Sequence, residues 1–330
     1  MKKAELGNAK WVSAEGRYCS PLMRKLFFAE GVKQAVITIA CLGFFEGYIN
    51  GEQISGDKFL SLSTDYHKRN AIDYCGEIFD EKLEHRLYCP VYDITHLLKS
   101  GKNVVGFMLG PGWYERQGDA CGYGNVKLCF NIEITHYDGT KDYVVSDEKI
   151  RINQGFVKRC DILNGETQDY RGYDDNWPHE SFDDSTWEYA HIEPPPETRL
   201  FIQDCPADRV IRSVNVKLIH ERNGVRIYDA GEILSGYPVF SVEDGFDGEI
   251  NIRYGELLNA EGTLAEDNIY LQHTDIINNA KARKVHSRFT WMCFRYFEVR
   301  GECQIDKCLV IHSDVRVTSG FNCDDDTRCV

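Results

Sequence analysis

Long apolar runs are missing from this chain. None of its 330 residues fall in an apolar stretch as long as ~18 residues, so the sequence predicts no membrane-spanning helix. Basic charge in excess is missing too. Lys and Arg number 38 against 52 Asp and Glu, a net charge of −14. Nucleic-acid binding and attraction to anionic membranes both rest on Lys and Arg, so neither partner is expected. The amino terminus, MKKAELGNAKWVSAEG, has two lysines but no apolar stretch behind them. It does not read as a signal peptide, and the expected location is the cytoplasm. Catalytic signatures are absent as well. The 10 histidines form no H-E-x-x-H, and no Walker loop, Rossmann fingerprint or G-x-S-x-G elbow occurs. Cysteine is plentiful at 13 residues, but no C-x-x-C pair exists. Several thiols, Cys41 and Cys129 among them, sit inside apolar runs. They are expected to be reduced, buried and inert.

What the sequence does contain is strands. Apolar runs at 35–42, 104–109, 126–134 and 249–254 are separated by Gly, Asn and Asp. The run 126–134 alternates with period two, which turns one face to a core and the other to water. Asn50-Gly51 and Asp138-Gly139 are hairpin signals, the first suited to a type I′ turn. Helical signal is confined to about one turn at 93–99, capped by Asp93 or Thr95. Many short strands with frequent turns predict an all-β chain of antiparallel sandwiches. Pro194-Pro195-Pro196 cannot donate ladder hydrogen bonds and reads as a connector. Just before it, Ser181-Phe182-Asp183-Asp184-Ser185-Thr186-Trp187 reads as the closing segment of a jelly roll, its Phe and Trp pinning the chain end to the sandwich. The expected division is an arm over 1–22, a jelly-roll (galactose-binding-like) domain over 23–190, a linker over 191–206 and a second sandwich over 207–320. The 5 Trp, 18 Tyr and 17 Phe suit β-rich cores, with sugar platforms as the alternative.

A series of short motifs runs in order along the chain. They are Tyr48-Ile49-Asn50-Gly51, Thr64-Asp65-Tyr66, Tyr92-Asp93-Ile94-Thr95, Gly112-Trp113-Tyr114 and Gly165-Glu166-Thr167-Gln168-Asp169-Tyr170-Arg171. Tyr228-Asp229-Ala230-Gly231-Glu232, Arg253-Tyr254-Gly255-Glu256 and the stretch 289–299 follow. Together they resemble the amino-terminal region of bacterial α-L-rhamnosidases, glycoside hydrolase family 78. Gln168 stands where that family usually has Tyr. The resemblance implies that the catalytic carboxylates belong to a helical barrel, with 321–330 as its lead-in, so no catalytic residue is expected in the sandwiches. It implies inverting hydrolysis for the parent enzyme. It also implies a front half that supports its own barrel and holds rhamnose-containing glycans, with calcium as a candidate cofactor and a second copy of the chain as a candidate partner. A pure scaffold and a free-standing lectin are the alternatives.

Sugars present an apolar C–H face and a rim of hydroxyls, which an aromatic ring beside charged groups matches. Trp113 and Tyr114 at the base of a Gly-Pro-Gly loop are candidates on that ground. Asp65 with Tyr66, and the polar trio Glu166, Asp169 and Arg171, are the others; a solvated loop and a structural salt bridge are their alternatives. Asp57 is the candidate calcium ligand, because calcium takes carboxylate oxygens in loops.

Overall fold

The computed structural model describes residues 1–66, 85–115, 123–265, 273–316, 318 and 320. The chain is all-β, with two antiparallel β-sandwich domains in tandem. Among the described residues the one helical element is a single 3-10 turn, Thr95–Leu97. Its first N–H, on Thr95, donates to Asp93 Oδ1 at 2.9 Å.

The first sandwich stacks two six-stranded sheets. One runs in the order His191–Glu193, Trp11–Ser13, Lys127–His136, Val32–Leu42, Val91–Asp93, with Lys141–Val145 also on Lys127–His136. The other runs Glu188–Tyr189, Arg151–Gln154, Pro21–Ala29, Gly101–Gly110, Phe44–Ile49, Glu52–Gln53. Alternation decides what lies between them. Leu128, Phe130, Ile132 and Ile134 point inward and meet Met23, Phe45, Val105 and Phe107 from the facing sheet. Cys129, of opposite parity, points to the outer face and packs with Leu6, Trp11, Leu42, Tyr66 and Tyr114. The nine described cysteines are free thiols, five of them buried.

Asn50-Gly51 forms the two-residue turn that its type requires. Both residues have positive φ, 52° and 91°, and Ile49 pairs with Glu52 across it. The Asn50 side chain adds a reason for its identity, donating to the Leu97 carbonyl at 2.9 Å and accepting from the Val104 N–H at 3.0 Å. The Asp138-Gly139 hairpin also forms, but with only Gly139 at positive φ and a bond from the His136 N–H to the Thr140 carbonyl.

The second domain is one continuous ten-stranded sheet. Its order is Val157–Asp161, Gly165–Asp169, Thr274–Asn278, Glu249–Gly255, Met292–Arg300, Val225–Ser241, Gln304–Ser313, Asp208–Val214. Lys217–Arg222 and Lys284–Val285 also pair with the long strand Val225–Ser241. That strand carries a register shift between Asp229 and Leu234, where an unpaired stretch lets it bend from one set of partners to the next.

The sheets do not divide where the expected boundaries at 22, 190 and 206 fall. Trp11–Ser13, in the arm, sits inside the first sheet between two partners. Gly165–Asp169 runs parallel to Thr274–Asn278 of the large sheet. In the linker only Pro194, Pro195, Pro196 and Pro206 lack N–H groups. The residues around them are free to ladder, and His191–Glu193 pairs with Trp11–Ser13 while Arg199–Ile202 pairs with Arg86–Cys89. The lead-in at 321–330 lies outside the described residues.

The two domains share a core. Leu22, Phe44 and Met108 of the first pack into one cluster with Phe240, Phe289 and Phe294 of the second. Gly110 makes this possible, since a Cβ there would fall within the Phe289 ring. The closing segment lies against the same cluster, with Trp177 and Trp187 stacked 6.4 Å apart. Buried Arg24 holds it down, ion-paired to Asp184 and donating to the His179 carbonyl at 2.9 Å.

Candidate functional site

The loop after Gly101–Gly110 is fixed by its own backbone. Tyr114 and Glu115 both donate N–H to the Pro111 carbonyl at 3.2 Å, closing one turn. Gly112 has φ of 53°, and a Cβ there would stand 3.0 Å from the Phe44 ring, so the turn needs glycine. The turn separates two neighbouring aromatics. Tyr114 goes inward and is 5% exposed, whereas Trp113 goes outward and is 47% exposed.

Around Tyr114 lies an aromatic cluster. Tyr66 meets Tyr114 edge-on at 5.0 Å, and Tyr123 stacks on Tyr114 at 5.8 Å. Asp65 belongs to the same group and accepts from the Tyr123 hydroxyl at 3.0 Å. Glu115 accepts from the Val126 N–H at 3.2 Å, and burial raises its carboxyl above the ordinary range. The structure therefore brings Asp65, Tyr66 and Tyr114 together. Of these candidate rings only Trp113 offers a face to solvent, since Tyr66 is buried with Tyr114 in the packed cluster.

The trio on 165–171 is split by strand alternation. Glu166 and Gln168 point into the domain junction, while Asp169 and Arg171 point the other way. Glu166 accepts N–H groups of Arg288 at 3.1 Å and Phe289 at 2.9 Å, and the Gln168 amide at 2.5 Å. Its own N–H donates to Asp275 at 2.8 Å. Asp275 also accepts the hydroxyls of Tyr254 and Ser287, both at 2.6 Å. Burial, and then the Asp275 charge, push the Glu166 carboxyl up to about 7. Burial raises Asp275 as well. These two carboxylates are closed over by protein donors and face no cleft. Gln168 passes the network on, accepting from the Tyr170 hydroxyl at 2.8 Å. On the opposite face, Arg171 clamps Asp169 at 2.9 and 2.5 Å and holds its carboxyl down at about 2.

A second buried network crosses between the domains. Glu46 lies in the strand Phe44–Ile49 and pairs with Arg288 at 3.2 Å and Lys58 at 3.3 Å. Tyr48 donates its hydroxyl to it at 2.8 Å. Burial would raise the Glu46 carboxyl, but Arg288 and Lys58 prevail and hold it at about 2. His286, stacked 4.9 Å from Tyr237, is held neutral by burial, down at about 3. Asp57, the candidate calcium ligand, has both oxygens occupied. Tyr92 donates to one at 2.7 Å and Arg209 to the other at 2.5 Å. Among the described residues no group of three or more His, Cys, Asp or Glu is arranged to hold a metal.

Two family models match this chain. Residues 79–212 match the α-L-rhamnosidase N-terminal domain, and residues 219–317 match the bacterial α-L-rhamnosidase concanavalin-like domain. The chain belongs to the α-L-rhamnosidase family. Curated α-L-rhamnosidases from Formosa agariphila and Streptomyces avermitilis are 28% and 27% identical to it, over 84% and 82% of its length. The alignments cover 30% and 25% of those relatives, so the chain spans less than a third of their length. The solved α-L-rhamnosidase of Dictyoglumus thermophilum superposes with a TM-score of 0.83 at 28% identity, over 96% of this chain and 37% of that one.

Within this α-L-rhamnosidase region, reasoning from sequence missed Glu46, Lys58, Arg288, Asp275 and Tyr123. Glu46 left a signal, being an acid inside the apolar strand FFEGYI that must be paired if buried. Asp275 and Arg288 left none, because each acts on residues more than 100 positions away.

Proposed function

We propose that this chain is the non-catalytic, glycan-holding front of an α-L-rhamnosidase, bracing a catalytic helical barrel supplied by the rest of the protein. The observation that carries this reading is Trp113. It is a large ring half open to solvent, set on a turn whose backbone bonds and glycine leave it little freedom. A pre-ordered aromatic face loses little entropy on contact and suits the apolar side of a deoxy sugar such as rhamnose. Glu115, next to it in sequence, and the Asp65–Tyr123 pair around Tyr114 are the candidate acceptors for sugar hydroxyls. The buried carboxylates support the non-catalytic half of the reading. An inverting glycosidase needs two carboxyls about 6.5–9.5 Å apart across a site open to substrate and water, whereas Glu166, Asp275 and Glu46 are consumed by internal donors.

Calorimetric titration with L-rhamnose tests the binding half, with and without added calcium. Heat at millimolar sugar that disappears in Trp113→Ala is the expected result. No heat in the intact chain under either condition leaves a scaffold, and heat unchanged in Trp113→Ala places the sugar elsewhere.

A further inference from the structure

Four adjacent strands of the large sheet place a set of charged side chains on one face. The strands are Lys217–Arg222, Val225–Ser241, Met292–Arg300 and Glu249–Gly255. Their register puts Arg222, Val225, Arg300 and Asn251 in one cross-strand row. His220, Ile227, Glu298 and Arg253 form the next row. Directly opposed residues share a face, and strands lie about 4.8 Å apart, so each row spans roughly 15 Å. The face is the one turned away from the shared core, since Tyr228, Ile252, Phe297 and Val299 take the other parity.

A groove of about 280 Å³ runs along these rows and is bordered by Thr263. That lies near the small end of ligand pockets, which begin at about 300 Å³, and is room for a single ring. Its lining runs against the sign of the whole chain. In a chain of net charge −14, it holds three guanidiniums and a histidine around one carboxylate. That carboxylate, Glu298, is 5% exposed and accepts from Arg300 Nε at 2.9 Å. Arg222 reaches the groove from the exposed outer strand.

We propose that this groove binds an acidic monosaccharide unit, one carrying a carboxylate or a sulfate ester. Arg222 and Arg300 hold the anionic group. Planar guanidinium forks match oxyanions better than any other side chain. Glu298 and Thr263 take ring hydroxyls. The buried carboxylate is what selects a sugar over a bare anion. Inorganic sulfate or phosphate has little to donate to Glu298 and is repelled by it, whereas a hydroxyl donates to it while the charge sits a few ångströms away among the arginines. The site lies on the second domain and is separate from the Trp113 face.

The test is calorimetry on the whole chain with four probes: D-glucuronate, glucose 6-sulfate, glucose and inorganic sulfate. The two acidic sugars should bind at least tenfold more tightly than glucose or inorganic sulfate, and less tightly as salt is raised. Arg222→Ala, an exposed position, should weaken both acidic sugars at least tenfold with its thermal melt unchanged. Arg300→Ala should weaken both acidic sugars too, and Trp113→Ala should leave both titrations unaltered. No heat from either acidic sugar, equal affinity for inorganic sulfate, or binding untouched by Arg222→Ala would each overturn the proposal.

Discussion

Glu46 and Glu166 are both buried acids, yet their surroundings drive them in opposite directions. Glu46 is held at about 2 by two cations, below its ordinary 4.5. It contributes stability that is present above pH 4.5 and lost as pH falls toward 2. Glu166 is raised to about 7 from the same starting value. Its contribution has the reverse sign, complete below pH 4.5 and lost as pH climbs through 7. Urea unfolding from pH 4 to 8 should therefore show stability falling by at most about 3 kcal/mol from this source. Glu166→Gln should flatten that slope, and an unaltered slope would locate the titration elsewhere. Removing Glu46 has a different consequence, since Arg288 and Lys58 would be left partly buried side by side with no counter-charge between them. Glu46→Ala should cost about 3–5 kcal/mol, measured by denaturant midpoint at neutral pH. At Gly110 the constraint is steric. Phe289 is fully packed and cannot retreat, so Gly110→Ala should lose about 1–3 kcal/mol.

At the scale of elements, local pattern was legible and partnership was not. The alternation at 126–134 and the turn at Asn50-Gly51 could be read directly, because each depends on neighbours within a few residues. The closing segment was readable for the same reason, with Phe182 and Trp187 packed as its composition implies. The parallel pairing of Gly165–Asp169 with Thr274–Asn278 could not be foreseen. Five residues of strand pattern carry no information about a partner over 100 residues away. The candidate trio failed to cluster for a related reason. Parity along one strand sends Glu166 and Asp169 to opposite faces, and only sheet context shows which face is inside. Gly110-Pro111-Gly112 announces the turn that carries Trp113 and Tyr114, but adjacency does not reveal that one is core and the other surface. The prolines misled in a specific way, since they interrupt pairing at 194–196 without loosening what flanks them. Hydrogen exchange should find the amides of Arg199–Ile202 that ladder with Arg86–Cys89 protected as well as those of the central strands. Rapid exchange there would mean that the connector is loose.

Across the whole molecule, the two sandwiches behave as one packing unit. Their hydrophobic cluster is common to both, and two polar networks, centred on Glu46 and on Glu166, bind residues of the first half to Arg288 and Asp275 of the second. Calorimetric melting should accordingly show a single transition, with van't Hoff and calorimetric enthalpies agreeing; two resolved transitions would mean that the domains are held together only weakly. A body of this kind suits the proposed role of presenting a fixed ring and bracing another domain, and Glu46, Glu166 and Asp275 are each held by internal donors or cations. The most direct measurement is release of the aryl group from an aryl α-L-rhamnoside by the purified 330-residue chain. No turnover above the buffer rate is the expected result. Measurable turnover abolished by replacing Glu166 or Asp275 would contradict it.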